Sequence, residues 1–554
     1  MSTLSPLRHS FGPSIRTCWL LFAAVLLSGG CSGLSGGMKL RPEVKIPERS
    51  AVIFFADGLE RARLDELLAA GELPNIDALF VKGGTRIERV VVALPSVTYA
   101  NTVTLLTGEH PSVHGVVGNH WFDPKTLEYR NYTTPATYLS VNDDITQPTI
   151  FERLDDELTA NIKCPTHRGV DEEFLNPIST GLQWVAGDLE GSDRSTADRL
   201  RSIVEESNKL RQWPDLTLLY FPGVDETAHR YGSDTARYRS ALRNLDAQIG
   251  RTVELLRANG VHGQTNYVLV TDHSHRHAPP EHRIDLIADY VRAFGARPWM
   301  RETRGWNTQP RRAAALRDQE VVATIASRAV VFHVKHGSSW EAGWSAGIVP
   351  GSPAEAKVGE IAEFLRNSPA IGVVCARGAS ENEIQVSRRI GGSTQSATIL
   401  RIPSEPVKYE YRVDDGVDPL GYLGSSPLRE FAQSGPQPAD GWLRATILSD
   451  YPDLVPQMAE MFRQPRGGDV IGFAADDWLL YRTNASGHGS VLSSDCVVSY
   501  FFAGPGVIAG GSVPFARSTC LTPTVLELLG VVPPAMTGPL GGVSLKDALM
   551  RFSP

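Results

Sequence analysis

At 554 residues the chain is long enough for about three to four domain-sized units. Its 42% hydrophobic and 21% charged residues are those of a globular protein, which excludes a disordered or fibrous chain. A formal net charge of −8 argues against nucleic-acid binding through a broad basic surface. An anionic substrate stays open, because a bound metal can set the local field.

Arg8 and Arg16 precede the apolar run Cys18–Leu27. That run is too short to span a bilayer and fits the hydrophobic region of an export signal. The following LLSGGC is similar to a bacterial lipobox, with Ser28 where a branched residue is usual and Cys31 as the lipidated first residue of the mature chain. Residues 1–30 are therefore expected to be a signal peptide and 31–48 a Gly/Ser-rich tether. The expected location is the periplasm or cell envelope, with attachment to the membrane through the lipid; an ordinary cleaved signal is the alternative. Of the other cysteines, Cys164, Cys375, Cys496 and Cys520 match no zinc-finger spacing. Export permits disulfides, and Cys496–Cys520 is the nearest pair in sequence.

Ser50–Ala56 (SAVIFFA) is a continuous apolar run, as a buried parallel strand requires, and it ends at Asp57-Gly58. Leu59–Leu68 has helical spacing, and Leu73–Gly84 predicts a short helix closed by glycines. Val90–Leu94 predicts a second strand. It leads through a proline turn into LPSVTYANTVTLLTG (Leu94–Gly108), with Thr98 at a helix N-terminus and Asn101 one turn on. A hydroxyl there faces unpaired N–H groups and the positive end of the helix, a seat for a phosphate-like anion. Taken alone, an N-cap role is the ordinary explanation of a threonine at a helix start. His110, His114 and His120, in the Gly-rich loop that follows, need no role beyond loop hydrogen bonding.

Leu216–Phe221 predicts a buried strand opening into PGVDETAHRYG, then a helix capped by Ser233/Asp234 and ended by Gly260. Tyr267–Thr271 predicts the next strand, ending at Asp272-His273. Strand, helix, strand in this order predicts right-handed crossovers and a mostly parallel sheet. From 288 to 468 periodicity weakens, with a helix at Pro353–Arg366 and an alternating strand at Ser396–Ile402; this is expected to be an inserted α+β cap with a small sheet. The core resumes at Asp469–Ala474, then His488, the strand Val497–Phe502 and the helix Thr522–Gly530. The expected fold is thus α/β, a three-layer α/β/α core from 49–287 and 469–554 around an inserted 288–468 region.

Asp57, Thr98, Asp225 with His229, Asp272 with His273, and His488 come just after strand-like runs or, for His488, where the core resumes. In open α/β sheets ligands bind at the carboxyl ends of strands, so chain-distant residues can converge there. Three carboxylates and three imidazoles are a suitable donor set for two Zn²⁺ ions. The D-x-x-x-H spacing of Asp225 and His229 suits one ion if that loop turns helically.

The chain resembles the alkaline phosphatase superfamily in its nucleotide pyrophosphatase/phosphodiesterase branch. The matching pieces are FFADGL, LPNIDALFVKGG, LPSVTYANTVTLLTGEHPSVHGVVGN, VDETAHRYG, VTDH, GHGS and AGPGV with TPTVLELLG. The resemblance implies a binuclear zinc site, other divalent ions being possible. Asp225, His229 and His488 would hold one ion. Asp57, Asp272 and His273 would hold the other, with Thr98 as ligand and nucleophile and Asn101 donating to a phosphoryl oxygen. The chain departs from the family pattern at Val97, Ala100, Thr102 and Ser274, and its DHSHRH run adds His275 and His277. These two admit a supporting, a substrate-contacting or a merely solvated role, the last being favoured. A C-x-P-x-R context, needed for sulfatase chemistry, is absent around Thr98.

The implied activity is hydrolysis of a small phosphodiester or pyrophosphate through a phospho-threonine. Alternatives are a phosphomonoesterase or phosphonate hydrolase of the same superfamily, and a catalytically silent ligand-binding lipoprotein.

Overall fold

The structure, a computed structural model, describes residues 47–175, 187–305, 308–340 and 347–550. The expected signal peptide, nearly all of the tether, and Cys31 lie outside the described residues. Among the described residues no helix is long and apolar enough to cross a membrane.

A central eight-stranded sheet runs in the order Gly511–Arg517, Gly84–Val91, Val497–Ala503, Thr265–Val270, Ser50–Ala56, Leu216–Phe221, Thr159–Ile162, Glu172–Phe174. All neighbours are parallel except Val497–Ala503, which runs antiparallel to both of its partners. Ser50–Ala56 is buried throughout because it lies mid-sheet with helices on both faces. Its alternation distributes the two cores. Val52, Phe54 and Ala56 pack with Leu64, Leu67, Ile203 and Leu242 of three helices, and Ala51, Ile53 and Phe55 join a second cluster with Val103 and Leu106 of the Thr98 helix. This is the expected three-layer α/β/α core with a mostly parallel sheet.

The inserted region is larger than the small sheet expected. Strands from Val321 to Pro438, together with Val470–Ala474, make an antiparallel eight-stranded sheet. Val470–Ala474 pairs with Ala329–Val334 and Ile371–Arg377, so it belongs to this second sheet and not, as expected, to the core. A short apolar run cannot reveal which of two sheets it enters. One face of the second sheet, through Ile399, Ile471 and Phe473, shares a cluster with the central sheet.

Other boundaries shift for local reasons. The expected strand Val90–Leu94 is the end of Gly84–Val91. Gly84 is a strand residue where a Cβ would come within 2.2 Å of the Phe502 carbonyl oxygen, not only a helix stop. The helix Ala236–Ala258 is capped by Thr235, whose hydroxyl accepts from Tyr238 N–H, rather than by Ser233/Asp234. Cys164, Cys375, Cys496 and Cys520 are buried free thiols, so the expected Cys496–Cys520 bridge is not formed.

Candidate metal centre

Each candidate group is delivered by a strand end or a short ribbon. Asp57 directly follows Ser50–Ala56, and its N–H donates to Phe221 O at 3.1 Å. Gly58 turns the chain with φ +64°, and its N–H donates to Asp272 Oδ1 at 3.2 Å. Asp272 and His273 leave Thr265–Val270, and Asp272 Oδ1 also accepts from His273 N–H at 3.1 Å. The loop after Leu216–Phe221 does turn helically. Helix Gly223–Tyr231 sets Asp225 and His229 on one face, with Nε2 3.5 Å from Oδ1.

His488 arrives on the two-residue ribbon Ser486–Gly487, paired antiparallel with Arg276–His277. The second sheet helps to hold it. Ser327 Oγ accepts from His488 N–H at 3.0 Å and donates to His488 O at 2.9 Å. Next to it, the fully buried Arg328 guanidinium meets Asp495 at 2.7 Å, and Asp495 accepts from Ser490 N–H.

Thr98 opens the helix Thr98–Thr107, with Val97 as the N-cap residue and no side-chain cap. The capping explanation therefore does not hold: the Thr98 hydroxyl lies 3.1 Å from His273 Nε2.

These side chains form overlapping groups of potential metal ligands: Asp225, His229 and His488; Asp57, Asp272 and His273; and Asp225, His273 and His275. The first two are the sets that the family resemblance implies. Their donors suit a cation. His488 Nδ1 donates to Ser96 O and His273 Nδ1 to Ser274 O, at 3.0 and 3.1 Å, which leaves each Nε2 lone pair facing the site. His229 Nδ1 lies 3.0 Å from Ser486 O, which can only accept, with the Asn484 carboxamide beside the same nitrogen. The Nε2 atoms of His229 and His488 consequently face one another at 3.2 Å. Asp57 Oδ1 and Asp272 Oδ2 are buried without a hydrogen-bond partner.

The electrostatics point the same way. Burial, then Asp272 and Asp225, push Asp57 well above the usual carboxylate range. Burial and Asp225 push Asp272 up to about 7. Burial also acts to raise Asp225, but His229, His275 and His488 outweigh it and hold that carboxyl well below the usual range. Burial lowers His273 to about 3 and His488 well below the ordinary histidine value, the latter aided by His273 and His229. Buried neutral imidazoles beside crowded carboxylates are a ready cation site.

Two expectations are corrected. Asn101 does not face the site. Its Oδ1 accepts from Ala93 N–H at 2.7 Å, and its Nδ2 lies within hydrogen-bond distance of the Ala93, Pro95 and Val97 carbonyls. It ties down the loop before Thr98 and has no donor left for a substrate. His275 is not solvated. It is buried, and its Nε2 lies 2.7 Å from Asp225 Oδ1. His277 is partly exposed, near Asp234 at 3.4 Å. His110, His114 and His120 make the loop contacts expected of them, to Ser112, Thr104 and Thr133.

Two further residues belong to this region. Tyr220 donates its hydroxyl to Asp57 Oδ2, turning Oδ1 to its unpartnered position. Asn119 reaches the start of the Thr98 helix, where its Oδ1 accepts from Tyr99 N–H at 2.9 Å. Its Nδ2 makes no hydrogen bond among the described residues. A sequence signal for Asn119 existed, because it ends the matched GVVGN stretch. Tyr220 had none, being one aromatic in an apolar strand.

The sequence model of the type I phosphodiesterase/nucleotide pyrophosphatase family matches residues 51–341, more than half of the chain, and the chain belongs to that family of the alkaline phosphatase superfamily. Among individual relatives, an uncharacterised pyrophosphatase/phosphodiesterase of Schizosaccharomyces pombe is 24% identical over 230 residues, covering 41% of this chain and 44% of its own. Human bis(5′-adenosyl)-triphosphatase ENPP4 is 23% identical over 256 residues, covering 46% of this chain and 53% of its own. The chain thus spans about half the length of these relatives. The fold is similar to murine ectonucleotide pyrophosphatase/phosphodiesterase 5, with a TM-score of 0.56 at 14% identity over 90% of this chain and 100% of that one. An inactive threonine-to-alanine form of that murine protein, in complex with AMP, gives a TM-score of 0.53 at 14% identity over the same shares.

Proposed function

We propose that this protein is a divalent-metal-dependent phosphodiesterase that cleaves nucleotide-like phosphodiesters or pyrophosphates, with Thr98 as nucleophile. The observation that carries it is the gathering of His229, His488 and His273 with Asp225 and with the unpartnered Asp57 and Asp272 oxygens, the Thr98 hydroxyl lying 3.1 Å from His273 Nε2. Asp225, His229 and His488 would hold one ion, and Asp57, Asp272, His273 and Thr98 the other; zinc fits this N/O donor set. Such ions would neutralise phosphoryl oxygens and favour the ionised threonine hydroxyl.

Thr98 Oγ attacks phosphorus as the bond to the leaving alkoxide or phosphate breaks, and the leaving group takes up a proton. A water then attacks the phospho-threonine, phosphorus keeps the water oxygen, and the Thr98 hydroxyl is restored. Asn119, whose Oδ1 is held by Tyr99 N–H at the start of the Thr98 helix, would in place of Asn101 donate its amide to a non-bridging phosphoryl oxygen. The names of the relatives, bis(5′-adenosyl)-triphosphatase and ectonucleotide pyrophosphatase/phosphodiesterase, favour a nucleotide substrate. The name ectonucleotide pyrophosphatase/phosphodiesterase, with the signal-like residues before Cys31, favours export; a lipid anchor rests on the lipobox-like residues alone.

The test is a paired assay of the purified protein on bis-p-nitrophenyl phosphate and p-nitrophenyl phosphate, with and without chelator. Faster, chelator-sensitive cleavage of the diester is the expected result. Faster monoester cleavage would shift the assignment to a phosphomonoesterase, and chelator-insensitive turnover would overturn it.

A further inference from the structure

We propose that His275 is a positioning residue for the metal site: its Nε2–H donates to Asp225 and holds that carboxylate toward the ions without being a ligand itself. The inference rests on the metal-site reading given above.

Four imidazoles crowd this space, with ring centroids of His275 4.8 Å from His229, 5.6 Å from His273 and 5.2 Å from His488. They divide by what their far nitrogens do. His229, His273 and His488 each bring Nδ1 to a main-chain carbonyl, of Ser486, Ser274 and Ser96, and such a bond fixes the tautomer whose Nε2 binds a cation. His275 Nδ1 is buried and has no hydrogen-bond partner. Placing the proton on that nitrogen would leave an unsatisfied buried donor. The tautomer with the proton on Nε2 instead gives Asp225 Oδ1 a charge-assisted hydrogen bond at 2.7 Å.

Asp225 belongs to the group with His229 and His488, so its orientation bears on that ion position. Gly58 makes room for the contact. A Cβ there would lie 2.7 Å from His275 Nε2 and 2.8 Å from Asp225 Oδ1, and the residue also has φ +64°.

The test compares the full chain with His275→Met and His275→Gln, measuring Zn²⁺ and Co²⁺ affinities by chelator competition and the Co²⁺ absorption spectrum. Removing such an outer partner weakens metal binding about 10- to 100-fold, which is the loss expected for the Met variant. Glutamine keeps an N–H donor and is expected to recover most of that affinity. The Co²⁺ band shape should match wild type in both, because no ligand has changed. Unchanged affinity in the Met variant would overturn the proposal. So would a Gln variant as weak as Met with an altered Co²⁺ spectrum, since that marks the imidazole as a ligand. If the Met variant does not fold, the affinity and spectrum of the Gln variant decide by the same criteria. Wild-type protein that binds neither ion would overturn the metal-site reading itself, an outcome distinct from wild-type binding that all variants share.

Discussion

His229 and His488, 259 positions apart in the chain, bring their Nε2 atoms to 3.2 Å from each other. With both Nδ1 atoms turned to carbonyl oxygens, these are two lone pairs face to face, an arrangement that a cation between or beside them stabilises. Loading the metal-free protein with Zn²⁺ at about a thousand times its dissociation constant should therefore stabilise it by about 4 kcal/mol. His488→Ala should weaken ion binding by more than about 100-fold. Thermal unfolding with and without zinc checks both. Identical melting of loaded and metal-free wild type would contradict the site.

Thr98 serves no capping purpose, so Thr98→Ala should leave the fold and the metal content intact. Turnover of a diester should fall by at least about 10³-fold. Thr98→Ser, which keeps a hydroxyl, should retain measurable activity. Metal analysis alongside kcat separates this from a folding defect, and a Thr98→Ala protein of wild-type activity would remove Thr98 as nucleophile.

The two asparagines near that helix should behave differently. Asn101→Ala strips hydrogen bonds from a buried loop and should cost about 2–4 kcal/mol of stability. Asn119→Ala should change stability little and lower kcat about 10²-fold, as loss of one donor to a developing charge does. Denaturant unfolding and steady-state kinetics on the same two proteins check this; a kcat loss confined to Asn101→Ala would reverse the assignment.

Asp272, pushed up to about 7 by burial and Asp225, gives a pH test. A carboxyl raised in the folded state stabilises the protein while protonated. That contribution is full below the ordinary carboxylate range and is lost as pH rises through about 7. Metal-free Asp272→Asn should consequently be more stable than wild type near pH 8 (by about 1 kcal/mol or more), and the gap should narrow below about pH 7 and close only near about pH 4. Metal affinity of the wild type should weaken on acidification over the same range, because the ion must displace the proton. A gap that is absent near pH 8 would contradict the crowding of charge at this site.

The second sheet should matter to the metal centre through Arg328. Breaking its buried pair with Asp495 by Arg328→Met leaves an uncompensated carboxylate and should cost about 3–5 kcal/mol. Unfolding in denaturant measures it, and a neutral substitution would show that the pair does not anchor the His488 loop.

Much of this was legible in the sequence because parallel strands buried on both faces are plain apolar runs, and the residues just after them are chemically conspicuous. Asp57, Asp225, His229, Asp272, His273 and His488 could be gathered in that way. What stayed hidden depends on direction rather than type. Asn101 and Asn119 are the same residue type, and only the tertiary path shows that one amide faces the backbone of its own loop and the other the helix start. His275 looked like part of a polar run, whereas Gly58 opens space for it against Asp225. The second sheet was underestimated because the alternation of strands such as Glu383–Ile390 breaks off at Ser387-Arg388-Arg389, and Val470–Ala474 carries no mark of which sheet it joins.

The most direct test of the central claim is the stereochemical course at phosphorus, measured with a chiral phosphorothioate diester hydrolysed in heavy-oxygen water. Two in-line displacements, first by Thr98 and then by water, predict net retention of configuration. Net inversion would mean that water attacks the diester directly, and Thr98 would then not be the nucleophile.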